Sequence, residues 1–536
     1  MLFIQPLFDP LKNMQGPGGS LLQNHFREFM DPSISPDTHE DSVKLYGKTF
    51  RFHGFGRHDY RLMSLDLRAI SYILNSSVYE KPWQTRSLLS RLLGKGIFAM
   101  EGEEHKVLRK LIAPAFSTQS VKAMTPIFYQ KAEELRDRWE DITSRATSQE
   151  VSFTPTAPTP TSSTNSCVID VSHWISRATF DVIGLAGFDY HFRSLQDESE
   201  EVYLAYRNMF GVADKGPGLK GLVQIYFPFI EKVFPDEGSR VTQESLRVIH
   251  NAGKQLVHNK KVVILAEKAD AKDIKEKDIL SLLIKSNLSS DSSKRLSDGE
   301  LLDQLSTFLF AGSDSTSLTI AWCIHLLSLH PDIQKRLRDE LLSLPVNPVS
   351  DASQASTEII DALPFLDYVV RETLRLCPSV HGTIRVATQD DTIPISSPIV
   401  LRNGTVVQAG EEIPIRKGSY VHIPIEGLNM SADIWGEDAR TFNPDRWSSL
   451  PVSARVPSHP GIANLMTFSF GPHACPGWKF SILETKIFLA TLLPHFAFEP
   501  AEDIRKFNAI LTRPYVYDQF EKGSRLPLKV TKYTTI

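Results

Sequence analysis

A chain of 536 residues, 41% of them apolar, is long enough to bury a large core, and its 59 basic against 63 acidic residues leave a formal net charge of −4. That near-neutral balance gives no reason to expect a nucleic-acid partner. The four cysteines, Cys167, Cys323, Cys377 and Cys475, are scattered without a C-x-x-C pair, which suits a reducing compartment and argues against a disulfide framework or a structural zinc site.

In chain order, Met1 to Pro10 is too short, and too broken by Pro6 and Pro10, to span a bilayer, and it lacks the basic start and apolar core of a secretory signal. Gly16-Pro17-Gly18-Gly19 reads as a hinge. Residues 1–40 are therefore expected to be an N-terminal hinge segment without a membrane helix, ahead of a single domain over 41–536. Period-2 runs between Leu45 and Leu74 predict a small antiparallel sheet, with helix from Ser71 onward. Between Lys95 and Phe116, His105 and Arg109 stand four apart on one helical face, which by itself describes a solvated basic face as well as a binding one. Residues 151–166 are rich in Pro, Thr and Ser and predict a disordered insertion loop. Helical patterns then dominate to about Lys285, interrupted at Lys215 to Gly218 and at Phe227 to Phe229.

A capping box at Ser297-Asp-Gly-Glu300 opens a long helix whose apolar pattern runs to His330, where Pro331 ends it. At a rise of about 1.5 Å per residue it would span roughly 50 Å. Asp314 and His325 rule out a comfortable membrane span, so it must be a buried core helix. Its middle, Ala311-Gly312-Ser313-Asp314-Ser315-Thr316, places a glycine and a run of hydroxyls where they weaken a helix. Such local conflict is expected at a functional site, though a kink with satisfied hydroxyls gives the same text.

A helix from Asp361 to Leu376 carries Glu372 and Arg375 three apart and stops at Cys377-Pro378. Alternating stretches from Ile393 to Ile425 predict a second small sheet region, and Phe496 to Phe498 and Ala509 to Pro527 predict closing strands or loops. Phe442-Asn-Pro-Asp-Arg446-Trp447 precedes the stretch Phe468 to Gly477, where Cys475 sits on a Pro/Gly-flanked turn just ahead of a helix over Trp478 to Leu493. Unpaired N–H groups and the positive dipole end would favour an anion there, so the Cys475 thiol is expected to titrate low, in its metal-binding form. Gly471 and Gly477 would let the backbone pass close to a flat group, with Phe468 as an aromatic face beside it.

The spacing F-x-x-G-x-x-x-C-x-G over Phe468, Gly471, Cys475 and Gly477 resembles the haem-thiolate loop of the cytochrome P-450 family, whose cysteine thiolate is the axial ligand of the iron and favours O–O cleavage. Four other motifs stand in that family's order: Arg109 on helix C, the groove of the central helix, E-x-x-R and F-x-P-x-R. The resemblance covers nearly the whole chain, and its style is that of fungal secondary-metabolism members of the eukaryotic, microsomal type.

That resemblance implies a mainly α fold with small β-sheets (α+β) and a long central helix over haem b. Cys475 would be the axial ligand. His105, standing where many members have Trp, would bind haem propionates with Arg109, Arg385 and His473. Ala311 and Gly312 would form the oxygen-activation groove, with Asp314, Ser315 and Thr316 delivering protons. Ser315 stands where Thr is usual, which leaves open whether Ser315 or Thr316 serves. Glu372, Arg375 and Arg446 would form a buried structural triad. Ile97, Phe98, Phe308, Phe310, Val380 and Ile384, all apolar, would draw in a lipophilic substrate: a terpenoid or other secondary metabolite, or else a steroid, fatty acid or xenobiotic.

The activity so implied inserts one oxygen atom of O2 into a C–H bond, with electrons from NADPH through a flavoprotein cytochrome reductase and cytochrome b5 as a further donor. A basic face including Lys106, Lys110 and Lys479 would suit that acidic partner. The protein would be a monomer, peripheral on the cytosolic face of the endoplasmic reticulum, or cytoplasmic with a complete N-terminus. Two rival readings are a reductase-free haem-thiolate enzyme that rearranges hydroperoxides or dehydrates, and a haem sensor or carrier without turnover. The retained Asp314-Ser315-Thr316 argues against both.

Overall fold

The computed structural model describes residues 8–19, 24–150, 166–214, 237–269, 278–289, 295–344, 354–455, 457 and 459–533. The insertion expected at 151–166 lies outside them except for Ser166, which opens a strand instead. The interruptions at 215–218 and 227–229 also fall outside.

Alternation near the N-terminus produces strands Thr49–His53 (β1) and Tyr60–Ser64 (β2), paired antiparallel with Thr49 opposite Ser64. Tyr79–Glu80 (β3), Ser166–Asp170 (β4) and Thr383–Ala387 (β5) follow. Asp391–Pro394 (β6) pairs with Glu412–Ile415 (β9), and Ile399–Val400 (β7) with Val406–Val407 (β8). Tyr420–Ile423 (β10) belongs elsewhere. It runs parallel to β2 and antiparallel to β5, giving one five-stranded sheet in the order β1-β2-β10-β5-β3. The second sheet region is thus only partly separate, because β10 supplies the middle of the first. At the far end, Phe496–Pro500 (β11) pairs with Pro527–Lys532 (β14), which also pairs with β4, while Ile504–Asn508 (β12) and Thr512–Val516 (β13) form a hairpin.

The described part of the 1–40 segment is packed rather than hinge-like: Leu11 and Phe29 are buried in the core, and Phe26–Met30 and Ser35–Tyr46 are helical. The next helix, Leu67–Asn75 (α1), begins ahead of Ser71 because the Asp66 carboxylate accepts from the N–H groups of Arg68 and Ala69 and caps it. Gly102–Ile112 (α2), Thr118–Glu150 (α3), Val171–Phe188 (α4) and Glu201–Asp214 (α5) lead to the central helix. There the capping box forms as spelled: the Ser297 hydroxyl accepts from the Glu300 N–H, and the Ser297 N–H donates to Oε2 of Glu300 at 2.7 Å.

The central helix is three pieces: Asp298–Leu309 (α6), a five-residue π-helical turn Phe310–Asp314, and Ser315–Leu329 (α7). The conflict seen in the sequence resolves as this wider turn. Ser313 donates to the Leu309 carbonyl at 2.6 Å and Ser315 to the Ala311 carbonyl at 2.7 Å, taking up carbonyls that a regular ladder would use. Pro364–Leu376 (α8) starts three residues later than Asp361, because Pro364 has no N–H to continue a ladder and suits a first helical position. Trp478–Leu492 (α9) packs on α3 through Phe128 and Phe480, whose rings meet edge-on at 4.8 Å. Among the described residues no helix is long and apolar enough to cross a membrane.

Candidate active site

The loop ahead of α9 is folded tightly: the Cys475 N–H donates to the Phe468 carbonyl at 2.8 Å, and Ser469 and Gly471 both have positive φ. Gly471 has a packing role of its own. A Cβ there would lie 2.6 Å from the Leu74 carbonyl oxygen and 2.8 Å from the Asn75 side chain, so this glycine seats the loop on α1. At Gly477 a Cβ would meet only the Phe116 ring, at 3.6 Å. Nor is the Cys475 thiol acidic: burial pushes it up, and the Gly477 N–H and the Arg109 charge pull it back only in part. The helix end is too weak to ionise a desolvated thiol unaided. A coordinated cation would do so outright.

Four cationic or titratable side chains from three separate stretches gather beside this loop. The His105 and His473 rings lie 4.0 Å apart. His473 Nε2 sits 2.9 Å from Glu101, which also pairs with Lys81. Burial opposes the Glu101 charge, but the hydrogen bond from His473 and the Lys81 ammonium hold it down at about 2. Burial, then the neighbouring charges of His473 and Lys81, keeps His105 neutral, down to about 3. Arg385, almost fully buried, donates to the Thr383 hydroxyl at 2.6 Å and the Ile384 carbonyl at 2.9 Å, which neutralises nothing. Among the described residues no carboxylate lies within ion-pair distance of Arg385 or of half-buried Arg109. Guanidinium groups do not give up their proton, and buried charge is ordinarily paired. Two such groups beside a sulfur donor fit a group carrying two carboxylates and a metal, as haem b does. Lys81 and Glu101 escaped the sequence reading; only their acid–base pairing across twenty positions could have signalled them.

On the central helix the structure separates the two candidate hydroxyls. Ser315 stays half-buried, bonded back to Ala311, while Thr316 is buried and donates to the Ser481 hydroxyl of α9 at 3.1 Å. Ser379 donates to the Ser315 carbonyl at 3.0 Å, which brings Val380 and β5 alongside. Gly312 abuts α4: a Cβ would lie 2.6 Å from Ile183 Cδ1. Asp314 is buried and bonded at both oxygens by Arg513 of β13, one bond being 3.1 Å; the same guanidinium also pairs with Asp214 at the end of α5. Neither Arg513 nor Asp214 carries any local sequence signal.

Behind the loop, Glu372 is fully buried and accepts from Arg375 at 2.8 Å, Arg446 at 3.0 Å, the Trp447 indole at 3.0 Å and the Asn443 N–H at 3.0 Å. The expected triad is therefore assembled, with Trp447 added and Asp438 bracing Arg446 at 2.8 Å. The six apolar pocket candidates divide. Phe310 stacks on Phe210 of α5 at 4.6 Å and meets Phe98 edge-on, whereas Phe308 turns toward Phe116. Ile97 is held through its N–H to Gln304 at 3.2 Å, Ile384 lies on β5, and Val380 is 39% exposed. An open cleft of about 1100 Å³ between α1 and residues 431–460, lined by Arg68, Tyr72 and Asp433, shares no residue with these groups.

The family model Cytochrome P-450 matches residues 32–517. The chain is 37% identical to cytochrome P-450 monooxygenase 205 of Postia placenta, with 100% of this chain and 95% of that protein aligned. It is 33% identical to ganoderic acid synthetase of Ganoderma lucidum over 88% of this chain and 84% of that one. It is 31% identical to cytochrome P-450 monooxygenase claP of Ampulloclitocybe clavipes over 97% and 93%. Likeness of this extent, on a chain that assembles the buried triad and bulged helix its motifs foretell, makes it a member of the cytochrome P-450 family of monooxygenases.

Proposed function

We propose that this monooxygenase hydroxylates an unactivated C–H bond of a lipophilic secondary metabolite, a terpenoid foremost, with electrons from NADPH through a flavoprotein reductase. One oxygen atom enters the product and the other leaves as water, which consumes two electrons and two protons. The observation that carries the reading is a buried acid, Asp314, closing a π turn and followed at once by the half-buried hydroxyl of Ser315, with Thr316 tying this stretch to the helix that follows the cysteine loop. Haem b, when bound, supplies dioxygen activation at its iron.

The chain's own residues do the rest. Cys475 would hold the iron through its sulfur, and Arg109, Arg385, His105 and His473 would take the two carboxylates of the group. Ser315 hands protons inward and Asp314 replenishes them, which a carrier or a reductase-free isomerase would not need. Thr316 anchors the helix. Phe98, Phe210 and Phe310 give an apolar, water-poor wall, and the relatives include secondary-metabolism enzymes, both of which support the substrate class. Lys106 and Lys110, exposed on α2, with Lys479 on α9, would receive an acidic reductase, and cytochrome b5 as a second donor, at the cytosolic face of the endoplasmic reticulum.

The test is the absorption spectrum of the reduced protein under carbon monoxide, beside Cys475→Ala. A strongly red-shifted Soret band lost in the variant is expected, followed by hydroxylated product from a lipophilic panel with reductase and NADPH. A band indifferent to the substitution would remove the assignment.

A further inference from the structure

The open cleft between α1 and residues 431–460 is lined by none of the cationic groups gathered beside the cysteine loop, and its chemistry is of another kind. Along it α1 lays Arg68, Ser71, Tyr72 and Asn75, spaced three and four apart on one helix face. Its apolar wall, Leu65, Leu67 and Pro394, is buried or half-buried, whereas Arg68, Ser77 and Ser396 are exposed, so the cleft has an apolar base and a polar rim. Four serines in the lining, Ser71, Ser77, Ser396 and Ser431, have hydroxyls without a hydrogen-bond partner among the described residues. The Tyr72 hydroxyl is committed to Asp391 at 3.0 Å. Lys48 and Asp433 pair with each other at 3.2 Å. Arg68 bonds Asp66 only through its backbone N–H, and its guanidinium meets no carboxylate among the described residues, which leaves the lining with a net positive charge.

We propose that this cleft is a second binding site, for a polyhydroxylated organic phosphate, and that α1 carries its occupancy to the cysteine loop. A sugar or cyclitol ring presents apolar C–H faces and a girdle of hydroxyls, which suit the apolar base and the unpartnered serines. Arg68 offers a phosphate a fork of N–H donors that can bind two oxygens at once. Lys48 can join it, because a pair as exposed as Lys48 and Asp433 holds weakly and exchanges partners at little cost. A purely apolar ligand would strip water from those hydroxyls and pair none of them, and a polyanion would be repelled by Asp433 and, behind Tyr72, by Asp391. At about 1100 Å³ the cleft admits such a ring with its phosphate and bridging water. The same helix seats the cysteine loop: a Cβ on Gly471 would strike the Leu74 carbonyl and the Asn75 side chain, and the Asn75 amide donates to the Ser71 carbonyl at 3.0 Å. The opposite wall reaches the buried Glu372 cluster behind that loop, since Ser453 donates to the Ile434 carbonyl at 2.7 Å and Arg446 to the Trp435 carbonyl at 3.1 Å. A molecule bridging the two walls therefore braces the loop from both sides.

The experiment titrates haem-loaded full-length protein with inositol 1-phosphate, with inorganic phosphate as the reference anion. It reads calorimetric binding, the thermal midpoint and the rate of haem loss to apomyoglobin. Inositol 1-phosphate should bind about tenfold more tightly than inorganic phosphate, raise the thermal midpoint and slow haem loss about twofold or more. Arg68→Gln should weaken binding about tenfold, a charge-assisted bond being lost, and Ser71→Ala and Ser431→Ala about threefold each. Ser431→Trp, which obstructs the cleft from the opposite wall, serves if Arg68→Gln loses its fold, and circular dichroism reports folding in each. Vesicles of phosphatidylcholine, with and without phosphatidylinositol, separate two sources of this chemistry. Retention that needs both phosphatidylinositol and Arg68 identifies a lipid headgroup, and binding confined to the soluble ester identifies a free metabolite. Equal affinity for inorganic phosphate, or binding indifferent to Arg68→Gln and Ser431→Trp, would overturn the site. Binding that leaves haem loss unchanged would overturn the coupling alone. Calorimetry does not depend on what Cys475 holds, so failure of the cleft and failure of the haem reading are told apart.

Discussion

Glu372 shows how much a single buried charge organises in this protein. Its two oxygens receive Arg375, Arg446, Trp447 and the Asn443 backbone, and Arg375 also donates to the Asn429 carbonyl at 2.6 Å. Glu372→Gln leaves two guanidinium groups buried against a neutral amide, so a loss of about 3–5 kcal/mol is expected, read from denaturant midpoints, with haem retention falling alongside. That triad was legible because E-x-x-R and F-x-P-x-R carry their own spacing. Arg513 was not, because its partners Asp214 and Asp314 lie hundreds of residues upstream and nothing around Thr512 or Pro514 marks a charge bound for the core. The Cys475 thiol was misjudged for a related reason: a sequence displays the helix behind a sulfur but not the desolvation in front of it.

Among elements, the cysteine loop and the central helix each contain a glycine whose reason only packing discloses. Gly471 combines φ of +69° with a backbone oxygen 2.6 Å from any added Cβ, and neither a main-chain carbonyl nor a turn can yield cheaply. Gly471→Ala should cost about 1–3 kcal/mol from the conformation alone and more from the clash, seen as a lower thermal midpoint and weaker haem binding. At Gly312 the obstacle is the flexible end of Ile183, so the same substitution is milder there. The existence of the long helices, the capping box and the first two strands, β1 and β2, followed from periodicity and caps. Their edges did not, since Asp66 and Pro364 set them through side-chain oxygen and missing N–H. Nor did the place of β10, which depends on a parallel neighbour from the opposite end of the chain.

On the scale of the whole molecule, burial of neutral histidines shapes the response to acid. His39, His325 and His459 are buried, chiefly desolvated, and held at about 4 against an ordinary 6.5. Between those values the unfolded chain binds protons that the folded one refuses, so their contribution is full above pH 6.5 and is lost as pH falls toward 4. Asp214, raised to about 6, acts in the opposite sense over part of that window and offsets one of the three. Denaturant midpoints compared at about pH 7 and about pH 5 should show a stability loss of up to about 1.4 kcal/mol per pH unit for each histidine not so offset. A flat profile would mean that these rings are hydrated.

The lateness of β13 in the chain has a consequence for biosynthesis. Arg513 stands 199 residues after Asp314, and Asp314 meets its counter-charge only after the cysteine loop and α9 have been made. Throughout that interval the emerging central helix carries a carboxylate that it cannot bury. That part of the interior therefore gains its full set of charge pairs only once the closing hairpin has been made. A chain cut short before Thr512 would leave Asp314 buried without its counter-charge.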